Sequence, residues 1–304
     1  MPISLPFLQL SQHMLKKHTR HYGSRQRLAM LLAFYSTISA REKKHIEMLI
    51  VRRIISKHLA CFQAVLDGMK QYASAKCFDA VCSFNFAISL GDENSRATLA
   101  WILITGREGV KKDFVRARQL AQIGAEKGCS DSMGVLAEYY FQIALKLEYA
   151  QFQSKCGVMN SEQIVLFMAS LGAEITDKSG GNFVTLWREK ALELASLSAK
   201  KNSKYGLYLL GLLTSDTGLN NRAATMGLDV AQYHMGLKSF QTRYIQQDYH
   251  AALRYFHLAA AQGYVPAFVQ IYLFHSNGRG IPKNPIEATK WRIRALEGGA
   301  ESWH

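Results

Sequence analysis

The feature that most constrains this chain is a spacing. Glycines stand at Gly91, Gly128, Gly227, Gly263 and Gly299, with Asn202 in the place of a sixth, so successive stops lie 37, 74, 25, 36 and 36 residues apart. Four residues after the stops comes a small residue: Ser95, Ser132, Gly206, Ala231 and Ala267. Eleven residues before them comes alanine, at Ala80, Ala117, Ala191, Ala252 and Ala288. The unit ending at Gly227 has Asp216 there instead, and it is also the short one. Self-similarity at a fixed period in this range is the signature of stacked supersecondary units.

Each repeated position has a physical reason. Glycine, with asparagine as second choice, ends a helix in the left-handed conformation that other residues resist. A small residue four places on lets the next helix start close to its neighbour. The alanine eleven back lies three turns up the preceding helix, where a larger side chain would hold two backbones apart. Past position 25 apolar residues recur at three- and four-residue steps, as in Leu120-Ala121-Gln122-Ile123, which favours helix over strand. The unit is therefore a helix, a turn, a second helix and a stop. One such pair cannot bury its apolar face alone, so copies must stack.

The stretch Ala231-Gln232-Tyr233-His234-Met235-Gly236 resembles the opening of a Sel1-like repeat. That family's mid-repeat pattern has counterparts at Gly106, Gly109, Val110, Asp113 and Ala117, and again at Gly278, Gly280, Ile281, Asn284 and Ala288. The aromatic position of the second helix is matched by Trp187, Tyr255 and Trp291, and the close by Ala260 and Gly263. The resemblance covers roughly residues 80–304, is strongest from 223 onward, and implies an all-α, right-handed superhelical solenoid over 76–304 with an N-terminal helical cap. It further implies an extended concave surface for holding a protein partner. Two departures stand out. Residues 138–186 carry few anchors, which makes them a degenerate unit or an insertion, and Tyr272 replaces an expected glycine.

The beginning of the chain has another character. No Asp or Glu precedes Glu42, while Lys16, Lys17, Arg20, Arg25 and Arg27 do, and Phe7, Leu8, Leu10, Met14 and Leu15 can share one helical face. An acid-free, amphipathic, basic start is the composition of a mitochondrial transit peptide. Residues 1–22 are expected to be such a presequence, and 23–75 a basic helical cap, with two helices over 25–70. Of the net charge of +14, residues 1–70 supply +9, from twelve Lys and Arg against three acids. Arg41, Lys43, Lys44, Arg52 and Arg53 form the candidate basic partner patch, for which a solvated helix face is the plainer account. The longest uncharged apolar stretch, 28–40, is too short for a membrane span, which needs about 20 residues.

Patterns for chemistry are not traceable. The histidines are scattered, and the five cysteines form no CxxC pair or regular framework. The segment from Gly106 to Asp113 lacks the four-residue glycine spacing and the Lys-Ser/Thr of a phosphate loop. No catalytic, metal or cofactor residues are expected. The expected function is a non-enzymatic scaffold or adaptor. By the resemblance, it would assist assembly of respiratory-chain complexes in mitochondria, at the matrix or inner membrane, with an inner-membrane subunit as partner. The alternative is an RNA-binding factor, since a basic surface favours acidic partners. Against it, basic residues beyond position 70 do not recur at one repeat position, and the recurring aromatics fall on apolar stripes.

Overall fold

The computed structural model describes residues 40–173, 183–241 and 248–300, with side chains from position 52 onward and at Met48. The expected presequence, the start of the expected cap, and Arg41, Lys43 and Lys44 as side chains lie outside that description. Among the described residues there are 13 helices and no strand, only an isolated bridge between Arg107 and Val110. The chain divides into two compact units, residues 1–59 and 60–304. Helix α1 (Ala40–Ala73) runs uninterrupted, so the described part of the expected two-helix cap is a single helix.

The remaining helices follow in pairs. They are α2 (Cys77–Leu90), α3 (Asn94–Thr105), α4 (Phe114–Glu126), α5 (Ser130–Lys155), α6 (Ser161–Ser170), α7 (Phe183–Lys200), α8 (Lys204–Leu213), α9 (Thr217–Thr225), α10 (Asp229–Gln241), α11 (Tyr249–Ala261), α12 (Val265–Asn277) and α13 (Pro285–Glu297). Their ends follow local chemistry. Gly91 closes α2 at φ 107°, and Asn202 closes α7 at φ 58°, both left-handed. Asp113, Asp216, Asp248 and Asn284 cap α4, α9, α11 and α13 by accepting first-turn backbone N–H groups. Asn160 and Gln163 form a reciprocal capping box at the start of α6.

Five helix pairs make the array: α3–α4, α5–α7, α8–α9, α10–α11 and α12–α13. The long pair is α5–α7, with α6 between its helices in sequence. Helix α5 is 26 residues long and packs along α7, while α6 is anchored by the buried Met168 and by Tyr139 Oη donating to Leu171 O at 3.1 Å. The short unit is α8–α9, with helices of only 10 and 9 residues.

Small residues stand where backbones meet. A Cβ added to Gly134 of α5 would lie 2.6 Å from Gly206 N of α8, and one on Gly206 would lie 2.4 Å from Ser198 Oγ of α7. Within unit 60–304 the first helix of a pair is often buried on every side. Ala97, Leu99, Ala100, Trp101, Ile102, Leu103 and Ile104 of α3 are all buried, as are Tyr205, Leu207, Tyr208 and Leu209 of α8. Each large apolar side chain so buried contributes about 1.5–3 kcal/mol.

That all-round burial corrects the expectation of an open concave surface. Trp101 Nε1 of α3 donates to Asp229 Oδ1 of α10 at 3.2 Å, although two helix pairs intervene in sequence. Cys77 Sγ, at the start of α2, donates to Gln262 O at 3.7 Å, and Glu108 N donates to Gly263 O at 3.3 Å. The array curls until its first and last pairs touch, and the inward faces pack on each other. Gly263 serves twice: it ends α11 at φ 74°, and a Cβ there would lie 2.9 Å from Cys77 Sγ.

Candidate functional site

Where the first and last pairs meet, two features are built side by side: a buried polar cluster and an open cleft. The cluster centres on Arg107, in the turn after α3, and Asp229, the first residue of α10. They form an ion pair through Arg107 Nη2 and Asp229 Oδ2, with both side chains fully buried. Tyr72 of α1 donates to the same carboxylate at 2.7 Å, and Val230 N donates to Oδ1 at 2.7 Å. The guanidinium also bonds Thr105 Oγ1 and Gly106 O, and it lies 5.2 Å from the Tyr264 ring centroid. Burial alone would lower the Arg107 pKa, but Asp229 and Tyr72 carry it above its ordinary value. The Tyr72 phenol is pushed well up, chiefly by burial, and the Cys77 thiol to about 11 for the same reason. Through these bonds the cluster ties α1, the turn after α3 and α10 together and acts as a clasp.

A second buried acid lies on α5. Glu138 is 4% exposed, accepts from Gln142 Nε2 at 2.8 Å, and has its Oε2 buried without a hydrogen-bond partner. Burial raises its pKa to about 7, and the Gln142 bond opposes that only in part. Its charge is felt at Tyr208, whose hydroxyl lies 3.3 Å from His234 Nε2. Burial depresses the His234 pKa.

The cleft measures about 920 Å³. One wall is the α3–α4 turn from Thr105 to Lys112. The other is α12, through Val265, Pro266, Val269 and Gln270, continued by Glu297 to Ala300 at the end of α13, with Tyr233 of α10 between them. The turn is held by the reciprocal Arg107–Val110 backbone bonds and by Asp113 N donating to Leu103 O at 2.9 Å. Arg294 fixes it from across the cleft, reaching Glu108 at 3.1 Å. Among the described residues no group of three or more His, Cys, Asp or Glu side chains is placed to hold a metal, and no helix is long and apolar enough to cross a membrane.

The residues singled out from sequence fall into two sets. Ala80, Ala117, Ala191, Ala231, Ala252 and Ala267 have no exposed surface, and Ala288 has 5%. Gly91, Gly128, Gly227, Gly263 and Gly299 all have positive φ. These are interior packing and stop positions, and only Gly299 also lines the cleft. In the candidate basic patch, Arg52 and Arg53 are exposed on α1. Sequence reasoning missed the cluster and the cleft. Arg107 and Asp229 are 122 positions apart, so no local spacing links them.

Residues 98–129, 229–264 and 270–299 match the family model described as Sel1 repeat. An uncharacterised protein of Neisseria meningitidis serogroup B is 31% identical over 118 residues, 36% of this chain and 24% of that protein, so the match spans about a quarter of the relative. A Sel1 repeat protein from Oxalobacter formigenes of known structure is similar over 77% of this chain and 84% of its own, with 19% identity and a TM-score of 0.40. A protective antigen of uropathogenic Escherichia coli displaying an SLR fold is similar over 82% and 56%, with 19% identity and a TM-score of 0.35. Three helix pairs of this chain therefore match Sel1 repeats, within an all-α solenoid fold.

Proposed function

We propose that this protein is a non-enzymatic scaffold that holds partner proteins. The observation carrying this reading is the open cleft of about 920 Å³ set in a frame that the buried Arg107–Asp229 clasp holds closed. Affinity at a cleft held in shape comes from a surface that need not be ordered on binding. Turn, helix and helix end meet at the cleft, so a bound segment touches several units at once.

The finer reading places the scaffold in mitochondria, in the assembly of respiratory-chain complexes. It is supported by the acid-free basic start of residues 1–22 and by the adaptor role of Sel1-like proteins. Cross-linking of the full chain in its native cells, followed by identification of the linked peptides, tests the scaffold. Recovery of defined protein partners supports it; linkage to RNA alone, with affinity falling steeply as salt rises, overturns it. A fusion protein with and without residues 1–22 tests the compartment. Import that depends on those residues is expected, and an unchanged distribution removes the mitochondrial reading while leaving the scaffold intact.

A further inference from the structure

Helix α1 carries a surface that is independent of the cleft and of the scaffold reading. Met48, Ile55, Leu59, Phe62, Leu66 and Met69 are each between 44% and 63% exposed. They follow one another at steps of 7, 4, 3, 4 and 3 residues. At about 3.6 residues per turn, that spacing confines them to one stripe about 80° wide. The opposite side of the helix is already used: Ala64 is buried, and a Cβ on Gly68 would lie 2.7 Å from the Phe84 ring of α2. Among the large exposed apolar side chains described on α1, only Ile54 lies off the stripe.

We infer that this stripe is the seam of an antiparallel dimer in which α1 packs against α1 of a second copy. Apolar residues at alternating steps of three and four make the narrow seam of a paired coil, whereas a helix laid on a core presents an apolar face of about 100° or more. A second copy supplies a stripe of the same length and spacing. With side chains of about 200 Å² roughly half exposed, the six offer about 600 Å² on each copy, and a pair would bury about 1,200 Å², where specific interfaces begin. Charge sets the direction. Arg52, Arg53 and Lys57 gather at one end of the stripe, while Asp67 and Lys70 offset each other at the other end. Parallel copies would bring the two basic ends together, and antiparallel copies hold them apart. Leu59 then packs on Phe62 of the second copy, and Ile55 on Leu66. Arg52 continues the same spacing and falls beside Met69, where its aliphatic stem can lie along the seam with the charge in water.

Sedimentation equilibrium of the full chain over a range of concentrations is the test. A monomer–dimer equilibrium is expected, with a dissociation constant raised at least tenfold by Leu59→Glu and, independently, by Phe62→Glu. Both side chains are exposed, so circular dichroism should show the fold unchanged. Leu166→Glu, at an exposed apolar position of α6, should leave the equilibrium as it is. Direction is read by mixing Arg52→Cys chains with Met69→Cys chains under mild oxidation and mapping the disulfides by mass spectrometry. Bridges from position 52 to position 69 are expected; bridges joining 52 to 52 or 69 to 69 would overturn the antiparallel pairing. A chain that stays monomeric, whether or not it binds anionic lipid vesicles, would overturn the inference. So would a dimer that both stripe variants leave intact, or one that Leu166→Glu weakens equally. The scaffold reading would stand in each case.

Discussion

Arg107 and Asp229, 122 positions apart, form an ion pair from which solvent is excluded on both sides, and with it they join the first repeat to the fourth helix pair. The pair is not isolated: Trp101 and Tyr72 also donate to the same carboxylate. Taking two charges out of water costs several kcal/mol each, and it is offset only when geometry and further hydrogen bonds are good. Here both conditions are met, apart from Arg107 Nε, which is buried without a partner.

Removing one partner should therefore cost far more than removing both. Asp229→Ala leaves a buried guanidinium uncompensated and should destabilise the chain by about 3–5 kcal/mol in urea denaturation. The double variant Arg107→Met with Asp229→Leu should recover most of that loss. If the double variant is no better than the single one, the pair is not acting as a clasp.

Small residues at the helix contacts make a second expectation. On helix propensity alone, Gly206→Ala should stabilise α8 by about 1 kcal/mol. The added Cβ would instead sit 2.4 Å from Ser198 Oγ and 2.6 Å from Ala199 N. Overpacking of this kind costs about 1–3 kcal/mol, so a lowered melting temperature is expected, and a raised one would contradict the close approach.

Glu138 should make stability depend on pH with a definite sign. Below its ordinary value of 4.5 both folded and unfolded chains hold the proton, and stability does not change with pH through this group. From there to about pH 7 the unfolded chain ionises first, so stability falls, and above pH 7 the loss is complete. Glu138→Gln should abolish this dependence and stabilise the protein at pH 8 by on the order of 3 kcal/mol. Parallel denaturation curves at pH 5 and 8 decide it: a variant with the same pH slope as the native chain would refute the assignment.

A milder effect is expected at a helix start. Asp113 accepts from Arg116 N at 2.9 Å and caps α4, whose turn forms the cleft's first wall. Asp113→Ala should lower stability by about 1 kcal/mol. Because the turn is also held by Arg107 and Val110, the fold should persist, as circular dichroism would show.

Much of the array was legible because its rules are local. Asn202 was recognisable as a stop because asparagine tolerates the left-handed conformation. Aligning the repeats places Ala100, Ala137, Gly211 and Gly236 at one position; a Cβ on Gly236 would lie 2.6 Å from the Phe256 ring, while Tyr272 stands there half-buried in the last pair.

By itself, the sequence determined that this chain is a stack of helix pairs and where the left-handed stops between successive pairs fall. Those facts depend on backbone preference and on contacts between neighbouring units, both encoded within a few dozen residues. Only the tertiary structure decided that the curve closes, that Arg107 meets Asp229, that Glu138 is buried, and that a cleft remains at the seam. Closure depends on small rotations accumulated over several pairs. No single repeat carries that sum, so no local pattern announces which distant side chains it brings together.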